Sequence, residues 1–180
     1  SEDKIRSLKE AGVGRINHNL NTSREHHPEI VTTHTYDDRV ATVENVKSAG
    51  VGTCSGGIIG MGESDDDIIN LAITLRAMDI ESIPVNFLHS IPKTPFEAKR
   101  QLTPQKCLKT LCLFRFVNPS KEIRVAGGRE VNLRSLQPLS LYPANSIFVN
   151  GYLTTPGQEA SDAHRMIEDL GFELDQPAAI

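Results

Sequence analysis

Two rhythms of apolar positions alternate along the chain. From Asp3 to Ala11, Ile5, Leu8 and Ala11 recur every three to four residues and Gly12 follows, which predicts a helix with a glycine stop. GRINHNL (14–20) reads as a strand. Thr35 to Ala49 places Val40, Val43 and Val46 at helical spacing before Gly50, and GVGTCSGGIIGMG (50–62) is a strand running into a glycine-rich loop. Ser64 is the N-cap of a third predicted helix: Asp65, Asp66 and Asp67 fill its first turn, where the helix dipole favours acids, and Ile68, Leu71, Ala72 and Leu75 form its apolar face.

The alternation continues to the end. IPVNFLHSIP (83–92) is a strand, followed by a proline-containing loop to about Thr103 and by Pro104 at a first helical position. In that helix Leu108, Leu111, Cys112 and Arg115 are expected on one face, and Asn118-Pro119 stops it. EIRVAGG (122–128) is a fourth strand, Glu130 to Leu136 a short helical stretch, and Ser146 to Asn150 a fifth strand. Glu159 to Leu170 is a last helix, with Ala163, Met166, Ile167 and Leu170 in register and Gly171 as its cap. Strands separated by helices of about 10 to 15 residues mark repeated right-handed βαβ units, so the class is α/β with a parallel sheet. Five strands suit an open doubly wound sheet, or most of a barrel whose full form needs eight strands and ~250 residues.

Composition narrows the function classes. The chain has 180 residues, 38% hydrophobic and 23% charged, with a net charge of −4 and no Lys/Arg cluster, so it offers little to a nucleic-acid backbone. No apolar run approaches the roughly 20 residues of a membrane span, and no leader pattern opens the chain, so the expectation is a cytoplasmic protein with no membrane or nucleic-acid partner. Cys54, Cys107 and Cys112 are too few for a disulfide scaffold. Cys107 and Cys112 are expected in the core of their helix. The sequence enters a helix at once, without Met, which leads to the expectation of a preceding part.

In either parallel architecture ligands bind at the carboxyl ends of strands. Asn17, Asn19 and Asn21 sit at i, i+2 and i+4, so an extended chain projects three amides onto one face, each offering donors and acceptors. An Asx-turn at the strand end is the alternative. Cys54 lies late in its strand, as a small buried hydrophobe or as a group at the ligand edge. Asn86 repeats the amide theme, with Val85 and Phe87 facing the outer helices. Ile123 and Val125 share one face of their strand, which turns Arg124 inward, where it needs an anion, a metal cluster's negative charge, or a carboxylate from Glu122 or Glu130. Thr154 and Thr155 offer hydroxyls to a carboxylate. His18 alternates away from the asparagines and reads as structural or supporting. No GxSxG elbow and no HExxH occur.

INHNLNTS, VGTCSGGIIGMGE, IPVNFL, IRVAGGRE, ANSIF and LTTPG, in that order and spacing over nearly the whole chain, resemble the carboxyl-terminal part of the biotin synthase family of radical S-adenosylmethionine enzymes. The resemblance implies a (β/α)8 TIM-type barrel of which residues 1–180 cover about the last five strands. It also implies sulfur insertion into dethiobiotin through a 5′-deoxyadenosyl radical, with a 4Fe-4S cluster cleaving S-adenosylmethionine and a 2Fe-2S cluster donating sulfur. Cys54 and Arg124 match ligands of the 2Fe-2S cluster. Asn19 and Asn21 match positions at the S-adenosylmethionine ribose, and Ile58 a position against adenine. Asn17, Asn19, Asn86, Thr154 and Thr155 match positions around dethiobiotin.

Two departures accompany the resemblance. Asn21 stands where several family members have Asp, and an amide bonds a ribose hydroxyl more weakly than a carboxylate does. The family's CxxxCxxC and two further cysteine ligands have no match here, so the 4Fe-4S ligands are expected in a missing N-terminal part and the isolated polypeptide is expected to be inactive. The family implies a homodimer and an electron-donating flavoprotein or ferredoxin. Other readings are a different radical S-adenosylmethionine enzyme, such as a thiazole or hydrogenase-maturation enzyme, or a remnant module that binds S-adenosylmethionine or dethiobiotin without catalysis.

Overall fold

Helix starts are written into the local chemistry of the chain. A computed structural model describes residues 2–97, 102–151 and 157–175. In it, Thr35 and Ser64 each cap a helix by accepting the backbone N–H of Asp38 and Asp67, whose carboxylates bond back to the cap's own N–H. Such reciprocal caps satisfy two of the donors every helix leaves open. They start α3 (Tyr36–Ser48) and α4 (Asp65–Ala77). Thr103 caps α5 (Pro104–Val117) by accepting the Lys106 N–H, without a reciprocal bond and with proline at the first helical position. The remaining helices are α1 (Glu2–Glu10), α2 (His27–Ile30), α6 (Arg129–Leu133), a 3-10 helix (Arg134–Leu141) and α7 (Ala160–Asp169). No helix among the described residues is long and apolar enough to cross a membrane.

The strands are β1 (Arg15–Asn17), β2 (Gly52–Cys54), β3 (Gly57–Ile59), β4 (Ser82–Phe87), β5 (Glu122–Val125) and β6 (Ser146–Ile147). All pair in parallel, in the order β1-β2-β4-β5-β6, with β3 beside β4. A doubly wound sheet reverses its strand order at a switch point. This order follows the chain without reversal, as an arc of a (β/α) barrel does.

The expected second strand is realised as two pieces, because β2 and β3 are separated by Ser55 and Gly56. β4 explains the break. Ser55 N–H bonds to the Ser82 carbonyl at 3.0 Å and Leu88 N–H to the Ile59 carbonyl at 2.8 Å, so even-numbered positions of β4 turn their peptide groups toward β2 and β3. Pro84 is one of them and has no N–H to give, so the ladder lapses at its level. Gly56 fills the lapse so closely that a Cβ there would sit 1.9 Å from the Pro84 carbonyl oxygen.

Ile83, Val85 and Phe87 of β4 and Ile123 and Val125 of β5 are buried against Leu71, Leu75, Leu111 and Phe114 of α4 and α5. A smaller cluster of Ile5, Val46 and Val51 seats α1 on α3. The buried stripe of α5 differs from the expected one: Cys107, Thr110, Leu111 and Phe114 face inward, Leu108 is only partly buried and Cys112 is exposed. The stripe turns because burying the large Phe114 ring removes more apolar surface from water than burying Cys112. It also frees Arg115 to donate to the carbonyls of Pro143 and Lys121 at 2.7 and 2.8 Å. Cys107 is a packing group, its thiol pushed up to about 12 by burial.

His27 is buried against the rings of His34 and Tyr36, edge-on at 5.7 and 5.6 Å, and its Nε2 has no hydrogen-bond partner among the described residues. Burial, then the charges of Arg39 and His34, hold its pKa below the ordinary value.

Two measurements test this packing. Gly56→Ala drives a methyl into the Pro84 backbone and is expected to cost about 3 kcal/mol or more in urea unfolding. Gly14→Ala, with nothing within 4 Å of the new carbon, should stay within about 0.5 kcal/mol; equal effects would refute the close approach. For His27, a depressed folded-state pKa means that the unfolded chain binds more protons. Its stabilising effect is complete above about pH 6.5 and is lost as pH falls below that value toward the folded-state pKa. The thermal midpoint should drop between about pH 7.5 and about pH 5.5, and less steeply in His27→Phe, whereas parallel profiles would exclude His27 as a source.

Candidate functional site

With one set of strand side chains committed to the helices, the alternate set lines the opposite face of the sheet. By register these are Asn17, Cys54, Ser82 and Glu122 in one row, with Pro84, Arg124 and Ser146 a step further toward the carboxyl ends and Ile58 opposite Asn86 beyond them. Arg15, two residues before Asn17, shares their face. Its Nη1 lies 2.7 Å from Glu122 Oε2, although β2 and β4 separate their strands. Arg15 and Glu122 therefore meet across the inner face, about 14 Å wide if the sheet were flat.

Asn17 and Cys54 are register partners. The Asn17 amide donates to Cys54 Sγ at 3.1 Å and to Asn19 Oδ1 at 3.1 Å, and Asn19 Oδ1 also accepts the Gly56 N–H at 3.1 Å. Arg39, reaching in from α3, donates to the Asn19 carbonyl at 2.7 Å. Cys54 is a free, buried cysteine. The buried Ser82 hydroxyl, opposite it in register, has no partner among the described residues. Two amides, a thiol and an unpaired hydroxyl thus converge on one end of the face.

The extended row of three asparagines is corrected at its third member. β1 ends at Asn17, and Asn21 has φ +73°, a left-handed conformation that asparagine tolerates better than most residues. Its backbone turns into the sheet instead, donating to the Gly56 carbonyl at 3.0 Å and accepting from Ile58 N–H at 2.8 Å. Asn86 bridges two loops: its Nδ2 donates to the Gly57 carbonyl and its Oδ1 accepts from Gly127 N–H, both at 3.0 Å. One amide N–H and one oxygen lone pair of Asn86 stay uncommitted by those bonds. Thr154 and Thr155 lie outside the described residues.

Arg124 realises the carboxylate pairing. Its Nη2 pairs with Glu122 Oε1, its Nε donates to Ser146 Oγ at 3.0 Å, and its guanidinium carbon stands 5.1 Å from the centre of the Phe148 ring. Glu130 instead accompanies Arg129, at 3.3 Å. Arg129 is fully buried and fixes the Phe148 carbonyl through Nη2 at 3.1 Å and Gln158 through Nη1 at 2.8 Å. Burial pushes the Glu122 carboxyl up, but the hydrogen bonds from Arg15 and Arg124 outweigh it and hold the carboxyl below its usual range.

Several contributors escape a reading of strand ends. Arg15 and Ser82 share the parity of Asn17 and Asn86, and the same alternation that singled out those amides finds them. Arg39 and Phe148 carry no such signal, because their contacts join segments distant in sequence. For His18, burial first, then Arg39 and His34, lower the pKa.

Comparison with known proteins gives a consistent assignment. The Biotin and Thiamin Synthesis associated domain matches residues 84–173, and the Radical SAM superfamily matches residues 1–75. Biotin synthase of Anoxybacillus flavithermus is 65% identical over 168 residues, 93% of this chain and 51% of that protein. Biotin synthase of Bacillus subtilis strain 168 is 61% identical over 173 residues, 96% of this chain and 52% of that protein. The chain thus spans about half the length of these relatives. Among solved structures, methylornithine synthase superposes with a TM-score of 0.81 at 18% identity, covering 98% of this chain and 56% of that one. The FeFe-hydrogenase maturase of Carboxydothermus hydrogenoformans gives 0.76 at 15% identity, covering 96% and 45%. At such identities these two speak for the fold alone. The chain belongs to the Biotin and Thiamin Synthesis associated domain family, and its first 75 residues match the Radical SAM superfamily.

Proposed function

We propose that residues 1–180 form the carboxyl-terminal portion of a biotin synthase barrel, which converts dethiobiotin to biotin by inserting sulfur. The observation that carries this reading is the convergence of Cys54, Asn17 and Asn19 on the face that also presents Arg124. When bound, the 4Fe-4S cluster with S-adenosylmethionine supplies the 5′-deoxyadenosyl radical, and the 2Fe-2S cluster supplies the sulfur atom.

The residues present fit a share of that second cluster. Iron–sulfur groups are held by thiolates and tuned by hydrogen bonds to their sulfurs, and Cys54 already receives an N–H from Asn17. Among the described residues no group of three or more His, Cys, Asp or Glu is placed to hold a metal. In this reading Cys54 and Arg124 contribute to that cluster, and the remaining ligands of both clusters come from outside residues 1–180.

The chain's own residues bind and orient. Asn17, Asn19 and Asn86 complement the N–H and carbonyl groups of the dethiobiotin ureido ring, and Thr154 and Thr155 its carboxylate. Asn19 and Asn21 hold the ribose of S-adenosylmethionine, and Ile58, half-buried in β3, packs against its adenine. Asn17, bonded to both Cys54 Sγ and Asn19 Oδ1, ties the sulfur-donor side to the substrate side. The rest of the proposed assembly is a homodimer supplied with electrons by a flavoprotein or ferredoxin.

Anaerobic reconstitution of the full-length gene product with iron and sulfide, followed by absorption spectroscopy, tests the ligand assignment. Cys54→Ala should lose the 2Fe-2S signal and keep the 4Fe-4S signal; an unchanged spectrum would remove Cys54 from the site. The 180-residue polypeptide alone, given cofactors, reductant and dethiobiotin, should form no biotin, and its detection would overturn the division of ligands proposed here.

A further inference from the structure

Glu122 stands out among the groups of the inner face because one carboxylate serves two guanidinium groups from strands that are not neighbours. Its Oε2 is held by Arg15 of β1 at 2.7 Å, and its Oε1 pairs with Arg124 of its own strand. A carboxylate with only one partner can swing and carry that partner with it. Here Arg15 pins the second oxygen, so the first is a fixed anchor for Arg124.

Three contacts then restrict Arg124. Glu122 takes Nη2, Ser146 takes Nε at 3.0 Å, and Phe148 lies against the guanidinium face at 5.1 Å. A guanidinium carries five N–H donors in a rigid fork. Fixing Nε and Nη2 orients the whole plane, and Nη1 is the terminal nitrogen left without a hydrogen bond among the described residues. The inner face therefore presents one defined Arg124 nitrogen.

We propose that Glu122, pinned by Arg15, is a positioning residue that sets the Arg124 guanidinium so that Nη1 faces the sulfur-donor site. This rests on the functional reading above, in which Arg124 contributes to the 2Fe-2S cluster. Groups that orient a metal ligand from behind carry a large share of metal retention, typically 10- to 100-fold. The Arg15, Glu122 and Arg124 charges sum to +1, which suits an anionic cluster held by thiolates. Neutralising Glu122 raises that sum but releases the fork, so the proposal predicts poorer retention in spite of the more favourable charge.

The test is the half-life of the 2Fe-2S absorption in the reconstituted full-length gene product under anaerobic reducing conditions. Glu122→Gln should shorten it about tenfold, Arg124→Met should shorten it similarly, and the double variant should be no worse than Arg124→Met, because Glu122 acts through Arg124. An unchanged half-life in Glu122→Gln, or effects that multiply in the double variant, overturns the proposal. If Glu122→Gln lowers the helical circular dichroism, Arg15→Met takes its place: it leaves the Glu122–Arg124 pair present but unpinned. A half-life about twofold shorter, with no further loss in the Arg124→Met background, supports the proposal, and no change or a multiplied effect overturns it. Failure of the functional reading looks different, since Cys54→Ala would then retain the wild-type absorption.

Discussion

Alternation along β4 and β5 decides what this chain can do. Ile83, Val85, Phe87, Ile123 and Val125 go outward to α4 and α5, and each fully buried aliphatic or aromatic side chain contributes about 1.5–3 kcal/mol. That sum exceeds the roughly 1–3 kcal/mol cost of leaving one inner polar group unsatisfied. A slip of one residue would exchange the two sets. The inner face is polar because the outer face fixes the register, and Cys54, Asn86, Glu122 and Arg124 take their orientation from packing on the other side of the sheet.

The inner face handles its polarity in two ways. Asn86 spends part of its hydrogen-bonding capacity on the Gly57 carbonyl and Gly127 N–H, holding two loops at a fixed separation. The charged groups are matched to one another, Glu122 lying between Arg15 and Arg124. Ser82 and the uncommitted part of Asn86 are then the exceptions, and both lie on the face where the resemblance sets small molecules and a cluster. A rigid, partly satisfied polar surface of this kind suits ligand binding, since its donors are oriented before the ligand arrives.

Much of this was legible in the sequence, for definable reasons. The N-cap at Ser64, the apolar face of α4 and the inward turn of Arg124 follow from spacing alone, because they depend on neighbours within one turn or one strand. The α5 stripe was misplaced because helical spacing does not weigh a phenylalanine against a cysteine. The asparagine row failed at Asn21 because alternation presumes an extended backbone, and the strand had already ended at Asn17. Arg39 under Asn19 and Phe148 beside Arg124 were out of reach, since each joins segments whose proximity only the folded chain supplies. Between Glu122, Glu130 and a cluster as the counter-charge of Arg124, the sequence left the choice open; the fold pairs it with Glu122.

Pro84 and Gly56 deserve to be considered as one heritable unit. A residue with an N–H at position 84 would present a donor to a stretch where β2 has ended and β3 has not begun, and a residue with a side chain at position 56 would push those segments away from β4. Each residue thus fits the gap that the other leaves, and a continuous strand through positions 55 and 56 would need both an N–H at position 84 and more room at position 56. The break in the second strand is therefore encoded on two different strands, one lacking a donor and the other lacking a side chain.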